Sequence, residues 1–305
     1  MRRLCFLLLA GMLAACHGSD RPAQETGPAN LWEEFSGEKA LQHVAHLVEF
    51  GPRPPGTEAI EKSRAYLTQE LQSQGWTVTP QKFTDTTPQG PKTFVNLIAT
   101  FVGAPGPKKE PFFLLCSHYD TKFFEKESFV GANDGGSSNG LLLEMARVLA
   151  LRPELAAKVE LVFFDGEEAY VSFTDTDGFF GSRHFAKQLQ AEGKVRQFRG
   201  GILFDMVGDR DLRITLSPDS PAQMTLDIFA AAKALHLRDH ITYSLGGITD
   251  DHTALNAIGI PVIDLIDFDY PPWHTPADTM DKLSAESLGI VGKIATRYLC
   301  ETALR

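Results

Sequence analysis

The feature that most constrains the fold of this chain is an alternation between short apolar runs of β-forming residues and longer segments with helical spacing of their apolar residues. Helical spacing occurs at residues 56–73, 138–151, 180–192, 221–235 and 284–303. The β-forming runs cover residues 76–83, 94–101, 112–117, 159–164, 201–206 and 260–266. Strands that alternate with helices indicate a sheet buried under helices on both faces. We therefore predict an α/β fold: a single domain with a central, mostly parallel (mixed) twisted sheet.

Composition sets limits on the function. The 305 residues are enough for one large α/β domain, and a hydrophobic content of 43% is typical of a globular protein. The chain carries 29 Lys and Arg against 39 Asp and Glu, which gives a formal charge of −10. Proteins that bind a phosphate backbone usually carry clustered basic residues. A nucleic-acid partner is therefore not expected.

The N-terminus has the pattern of an export signal. Two arginines precede an apolar run at residues 4–13, which is too short to span a bilayer and ends in small residues before Cys16. This pattern resembles a bacterial lipoprotein signal, so we predict a signal peptide at 1–15 and a lipid anchor on Cys16. The alternative is an ordinary secretory signal with a chance cysteine. Residues 16–30 are predicted to be a flexible tether and 31–305 the folded domain. The expected location is the cell envelope, with the outer membrane favoured in a Gram-negative host because His17, rather than Asp, follows Cys16.

The cysteines predict no disulfide framework. The chain has four, of which Cys5 would leave with the signal peptide and Cys16 would carry the lipid. Cys116 and Cys300 lie in an apolar run and a helical pattern, which favours small buried thiols. Because no CxxC pair exists, a cysteine-rich zinc site is excluded.

Polar side chains follow four of the predicted strands. His118 and Asp120, the run Asp165 to Glu168, Asp205 and His274 each come at or soon after a strand end. Ligands of open α/β sheets bind at the carboxyl ends of the strands. We therefore expect these side chains to meet at one edge of the sheet.

Two of these positions, together with Asp134, match the donor types of a catalytic zinc site. Asp134, in the glycine-rich loop GANDGG, together with Glu168 and His274, would supply carboxylate oxygens and an imidazole nitrogen and leave one position open. Glu167 would then be free for proton transfer. Taken singly, a lone histidine is more often structural and paired glutamates more often lie on a solvated surface. The spacing alone does not decide between these interpretations.

Taken together, the motifs resemble the zinc-dependent aminopeptidase family, and most closely its glutaminyl-peptide cyclotransferase (glutaminyl cyclase) branch. The resemblance covers the chain from about residue 40 to its end. The segments that carry it, in family order, are SHYDTK at 117–122, FVGAND at 129–134, FDGEEA at 164–169, GSRH at 181–184, DDHT at 250–253, GIPV at 259–262 and WHT at 273–275. Asp250 and Trp273 favour the cyclase branch, because the aminopeptidases usually have serine and tyrosine there.

The resemblance implies a zinc-aminopeptidase-like fold and one catalytic zinc held by Asp134, Glu168 and His274. It implies that Glu167 carries the proton from the substrate's α-amine to the departing ammonia, with Asp205 and Asp250 orienting it. Trp273 would be a pocket aromatic, beside substrate-binding positions at Phe173, Thr249 and Phe268. The expected substrates are peptides or proteins with N-terminal glutamine, which would become pyroglutamate.

Two other functions stay open. His118 and Asp205 match a second-metal site of the two-zinc aminopeptidases, so an exported dizinc aminopeptidase is the main alternative. A binding lipoprotein without catalysis is a third. Phe173 and Thr249 also depart from the tryptophan and glutamine of the animal cyclases, which affects the expected pocket shape.

Overall fold

The computed structural model describes residues 28–103 and 110–305. The predicted signal peptide at 1–15, Cys16 and most of the predicted tether lie outside the described residues. Within those ranges, none of the helices is long and apolar enough to cross a membrane.

The described residues form an α/β domain with an eight-stranded mixed sheet and eight helices. The strands are Trp76–Thr87 (β1), Gly90–Phe101 (β2), Phe113–His118 (β3), Val159–Phe164 (β4), Gly200–Asp205 (β5), Ile214–Leu216 (β6), Ile241–Tyr243 (β7) and Val262–Ile266 (β8). The helices are Gly37–Glu49 (α1), Glu58–Ser73 (α2), Ser138–Ala150 (α3), Pro153–Ala156 (α4), Phe180–Ala191 (α5), Ala222–Ala234 (α6), His252–Ala257 (α7) and Ala285–Tyr298 (α8).

The sheet has the strand order β1-β2-β4-β3-β5-β8-β6-β7. Its four central strands, β4, β3, β5 and β8, run parallel. The β1–β2 hairpin joins β4 antiparallel on one side, and β6 joins β8 antiparallel on the other. His118 pairs with Phe164 and Asp205 with Ile266, so the carboxyl ends of all four central strands lie at the same edge. The predicted fold class is confirmed.

Helices cover both faces of the sheet because the central strands are apolar on both sides. Leu115 packs in a large core with α1, α2, α3, α6 and α8. The neighbouring residues Leu114 and Cys116 point to the other face and pack with α5 and α7. Cys116 is fully buried, Cys300 is half-buried, and both are free thiols.

The structure contains elements that were not predicted, among them the short strands β6 and β7 and the short helices α4 and α7. The β1–β2 hairpin continues to a turn at residues 87–90, through a polar and mostly exposed stretch that lacks the apolar signal of a buried strand. Helix α1 was not among the predicted helices, although Ser36 caps it by accepting a hydrogen bond from the backbone N–H of Lys39. Helix α8 ends at Tyr298, and a turn of π-helix, Leu299–Ala303, covers the rest of the segment 284–303 that was predicted to be helical.

Candidate active site

Asp134, Glu168 and His274 meet at the carboxyl edge of the sheet, although 140 residues of sequence separate the first from the last. His274 Nε2 lies 3.4 Å from Asp134 Oδ2 and 3.1 Å from Glu168 Oε2. Neither of these buried carboxylate oxygens makes a hydrogen bond. Ligands that surround a zinc ion tetrahedrally at about 2.0–2.1 Å lie roughly 3.3 Å from each other. The donor types, their spacing and the unpartnered oxygens therefore fit a zinc ion.

Asp134 is held by the loop that opens α3. Gly131 and Gly135 adopt positive φ angles of 53° and 74°. A Cβ on Gly135 would lie 2.9 Å from Cε1 of His118, so only glycine lets the loop approach that ring. The carboxylate of Asp278 accepts hydrogen bonds from the backbone N–H groups of Asn133, at 2.8 Å, and Asp134, at 3.1 Å. These contacts fix the position of the Asp134 side chain.

His274 is held in a strained backbone conformation, with φ of 54°. The ring of Trp273 stacks on its imidazole at 4.1 Å between centroids, and Phe129 contacts it edge-on at 5.9 Å. The surrounding structure thus orients the imidazole towards the two carboxylates.

A second group of possible ligands shares Asp134 with the first. His118 Nε2 lies 3.2 Å from Asp134 Oδ1 and 3.3 Å from Asp205 Oδ1. Asp134 therefore presents one oxygen to each group. Burial lowers the pKa of His118, but the neighbouring Asp205, Asp120 and Asp134 outweigh burial and raise it well above its usual value.

Glu167 lies next to both groups but belongs to neither. Its backbone N–H and that of Glu168 donate to the two carboxylate oxygens of Asp120, at 3.1 and 3.3 Å. Its side chain lines the pocket and is 6% exposed. Burial raises the pKa of its carboxyl well above the usual range, and the nearby Glu168 and Asp250 raise it further while His118 opposes them.

The predicted substrate-binding residues line a narrow pocket over these groups, with a volume of about 80 Å³. The residues that line it include Glu167, Asp205, Asp250, Thr249, Phe173, Phe268 and Trp273, together with Asp134 and His274. Phe173, Phe268 and Trp273 are large apolar side chains that remain 37–50% exposed at its mouth. Exposed apolar side chains around a pocket are typical of a binding site.

Comparison with known proteins identifies the family. Residues 96–299 match the model of peptidase family M28. The chain belongs to peptidase family M28. A curated relative, glutaminyl-peptide cyclotransferase of Drosophila melanogaster, is 29% identical over 92% of this chain and 88% of its own length.

Solved structures of similar proteins have the same fold. A glutaminyl cyclase from an Acidobacteriales bacterium matches with 31% identity and a TM-score of 0.80, over 92% of this chain and 97% of its own. The glutaminyl cyclase of Bacteroides thetaiotaomicron, solved with bound N-acetylhistamine, is 26% identical with a TM-score of 0.77, over 88% of this chain and 98% of its own.

A third buried polar group consists of Asp250, His252 and Asp264, and Asp264 was not among the predicted site residues. Asp264 lies within β8, where His252 Nδ1 is 3.6 Å from Asp264 Oδ2 and neither atom makes a hydrogen bond. Asp250 completes the group and links it to the pocket. The signal in the sequence is an aspartate inside the apolar strand VIDLI.

Two further residues of the site were missed because their partners are distant in sequence. The backbone N–H of Lys122 donates to Glu168 Oε1 at 3.1 Å, and its Nζ lies 3.7 Å from Oε2. Asp278, besides holding the Asp134 loop, accepts a hydrogen bond from the hydroxyl of Tyr270 at 2.8 Å. Asp165, by contrast, pairs with Arg64 at 2.6 Å and serves the structure beneath the site.

Proposed function

We propose that this chain is a glutaminyl-peptide cyclotransferase, which converts N-terminal glutamine of peptides and proteins to pyroglutamate and releases ammonia. The observation that carries the proposal is the group formed by the buried Asp134 and Glu168 with the partly exposed His274. A separate carboxylate, Glu167, lies beside this group in a narrow aromatic pocket. The similarity to named glutaminyl cyclases over most of the chain supports it.

Asp134, Glu168 and His274 would hold one zinc ion. When bound, zinc polarises the γ-amide carbonyl of the substrate and stabilises the negative charge that develops on its oxygen. The substrate supplies its own nucleophile, so the protein mainly orients it and moves a proton.

Glu167 is the proton carrier in this proposal. It takes a proton from the α-amino group as the amine nitrogen bonds to Cδ, the carbonyl carbon of the side-chain amide. It gives that proton to the amide nitrogen as the bond between that nitrogen and Cδ breaks. Ammonia leaves and no water is consumed. Asp205 and Asp250, which line the same pocket, would orient Glu167 and the substrate amine.

The aromatic residues of the pocket would exclude water. Trp273, Phe268 and Phe173 surround the mouth, and the ring centroids of Phe268 and Trp273 are 5.3 Å apart. Exclusion of water suppresses hydrolysis of the amide, which would compete with cyclisation.

We also propose that the enzyme is exported and held at the cell envelope by a lipid on Cys16, after removal of residues 1–15. The catalytic domain at 31–305 would then act on extracytoplasmic peptides. The support is the sequence pattern alone.

A dizinc aminopeptidase is the second candidate, and the observation that favours it is the His118, Asp134 and Asp205 group. That enzyme would need a water molecule as nucleophile, with Glu167 as its general base. The similarity to named glutaminyl cyclases favours the first candidate.

The two functions are separated by incubating the soluble domain with Gln-initiated and Leu-initiated dipeptide amides. Ammonia from the Gln substrate, with one zinc per chain, is the expected result. Free leucine from the Leu substrate, with two zinc ions per chain, would establish the aminopeptidase instead.

A further inference from the structure

A larger groove opens beside the catalytic pocket, between helices α5 and α7, with a volume of about 580 Å³. We call it the α5–α7 groove. The two helices pack on the same face of the sheet. The groove is lined by Arg183, Ala186 and Lys187 on α5 and by Thr253, Ala254 and Ala257 on α7.

The groove adjoins the catalytic pocket. Phe173, Thr249 and Asp250 line both. The pocket, at about 80 Å³, is much the smaller of the two, so the rest of a peptide whose first residue occupies it must leave through an opening. Phe173 stacks on Phe179 at 4.8 Å, and the pair forms an apolar wall where the two cavities join.

Helix α5 leads away from the catalytic glutamate. The backbone N–H of Phe179, the residue before α5, donates to the carbonyl oxygen of Glu167 at 2.7 Å. Lys187 lies seven residues after Phe180, which corresponds to about 10 Å along the helix. An extended peptide covers that distance in roughly three residues. In a peptide whose first residue occupies the pocket, Lys187 therefore lies level with the fourth residue.

Two basic side chains give the α5 wall a positive charge in an otherwise acidic protein. Arg183 and Lys187 are four residues apart and face the same groove. Among the described residues, Lys187 has no ion-pair partner. Arg183 donates to the backbone carbonyl of Asp175, which leaves its charge uncompensated. Asp175 and Asp250 also line the groove and are the carboxylates that compete for this charge.

We propose that the α5–α7 groove binds the residues that follow the N-terminal glutamine of the substrate, and that Lys187, with Arg183, selects an acidic side chain at the fourth position. This inference rests on the proposed cyclase function and adds a substrate class to it: peptides with glutamine first and aspartate or glutamate shortly after.

The test compares pentapeptide amides that begin with glutamine and carry glutamate, alanine or lysine at the fourth position, with the dipeptide Gln-Ala-amide as a short reference. In the wild type, kcat/KM for ammonia release is expected to be about twofold to fivefold higher for the glutamate peptide than for the lysine peptide. High salt should reduce this difference, because the charges are exposed.

Lys187→Glu is expected to reverse the order of the two charged peptides and to leave turnover of Gln-Ala-amide unchanged. Lys233→Glu is the matched control, since Lys233 is exposed near the end of α6 on the opposite face and gives the same change in net charge. Ala257→Trp tests the groove without a change of charge. It should raise KM for all the pentapeptides and leave the dipeptide unaffected.

Equal kcat/KM for the three pentapeptides in the wild type would overturn the selectivity for acidic residues. Equal effects of Lys187→Glu and Lys233→Glu, or an unchanged KM in Ala257→Trp, would overturn the groove as the binding site. These results leave the cyclase function intact if Gln-Ala-amide is still turned over. No ammonia from any of the peptides would overturn the cyclase function and the groove assignment together.

Discussion

The carboxylate of Asp120 accepts a hydrogen bond from the backbone N–H of Glu167 at 3.1 Å. Its other oxygen accepts from the backbone N–H of Glu168 at 3.3 Å. One fully buried side chain thus fixes the backbone of both the proposed proton carrier and a proposed zinc ligand.

Asp120→Asn should lower kcat about 10-fold to 100-fold, because the amide keeps one acceptor oxygen and its NH2 group, a donor, cannot accept the other hydrogen bond. Zinc should still bind, since none of the three proposed ligands is changed. Zinc content and initial rates on Gln-Ala-amide check this. A variant with the wild-type kcat would show that Asp120 does not position Glu167.

Glu167→Gln should retain zinc and lower kcat by about 10²-fold to 10⁴-fold, because the amide cannot accept the α-amine proton. The matched variants Glu168→Ala and His274→Ala should lose both zinc and turnover, because each removes a ligand. Metal analysis of the three purified proteins, beside their rates, separates the two roles. Full zinc content and activity in His274→Ala would refute the ligand assignment.

Glu160, on β4 and remote from the proposed zinc ligands, should make stability depend on pH. Burial raises the pKa of its carboxyl from 4.5 to about 7, although Lys194 opposes this shift. The folded protein therefore binds a proton more tightly than the unfolded chain, and stability falls as pH rises from about 4.5 through 7. Glu160→Gln, which does not ionise, should have a free energy of unfolding higher by about 1–3 kcal/mol near pH 8 and little changed near pH 4.

Urea unfolding of Glu160→Gln at these two pH values measures the difference. Glu125→Gln is the control, because Glu125 is exposed. A gain in stability that is the same at both pH values would contradict the account.

Cys16→Ser should release the protein from the membrane fraction of the producing cell and abolish labelling by a radioactive fatty acid, because the sulfur that would carry the lipid is removed. If an ordinary signal peptidase still removes the signal peptide of this variant, the protein should be exported without a membrane anchor. Unchanged membrane association and lipid labelling would exclude Cys16 as the anchor.

The parts of the fold that could be predicted are those with a local signal. Apolar runs such as residues 159–164 end where the central strands end, and Glu167 and Glu168 follow after only two residues. The polar tip of the β1–β2 hairpin has no such signal, because an exposed hairpin needs few apolar residues. Helix α1 went unpredicted despite its cap at Ser36.

The site was predictable in its residue types and only partly in its geometry. Spacing in the sequence could not predict that Asp134 lies beside His274, because the sheet topology brings these residues together. The family resemblance supplied that pairing. Asp264 and Asp278 were missed because their partners, His252 in one case and the Asp134 loop in the other, come from separate elements. The α5–α7 groove is a property of two helix surfaces and has no motif of its own.

The central claim is cyclisation at a single-zinc site, and the mass of the product tests it most directly. The zinc-loaded domain would be incubated with a pentapeptide amide that begins with glutamine, and the product analysed by mass spectrometry. The account predicts the intact peptide less one ammonia, with all five residues retained. A peptide that has lost its first residue, with free glutamine in solution, would contradict it and show that water is the nucleophile.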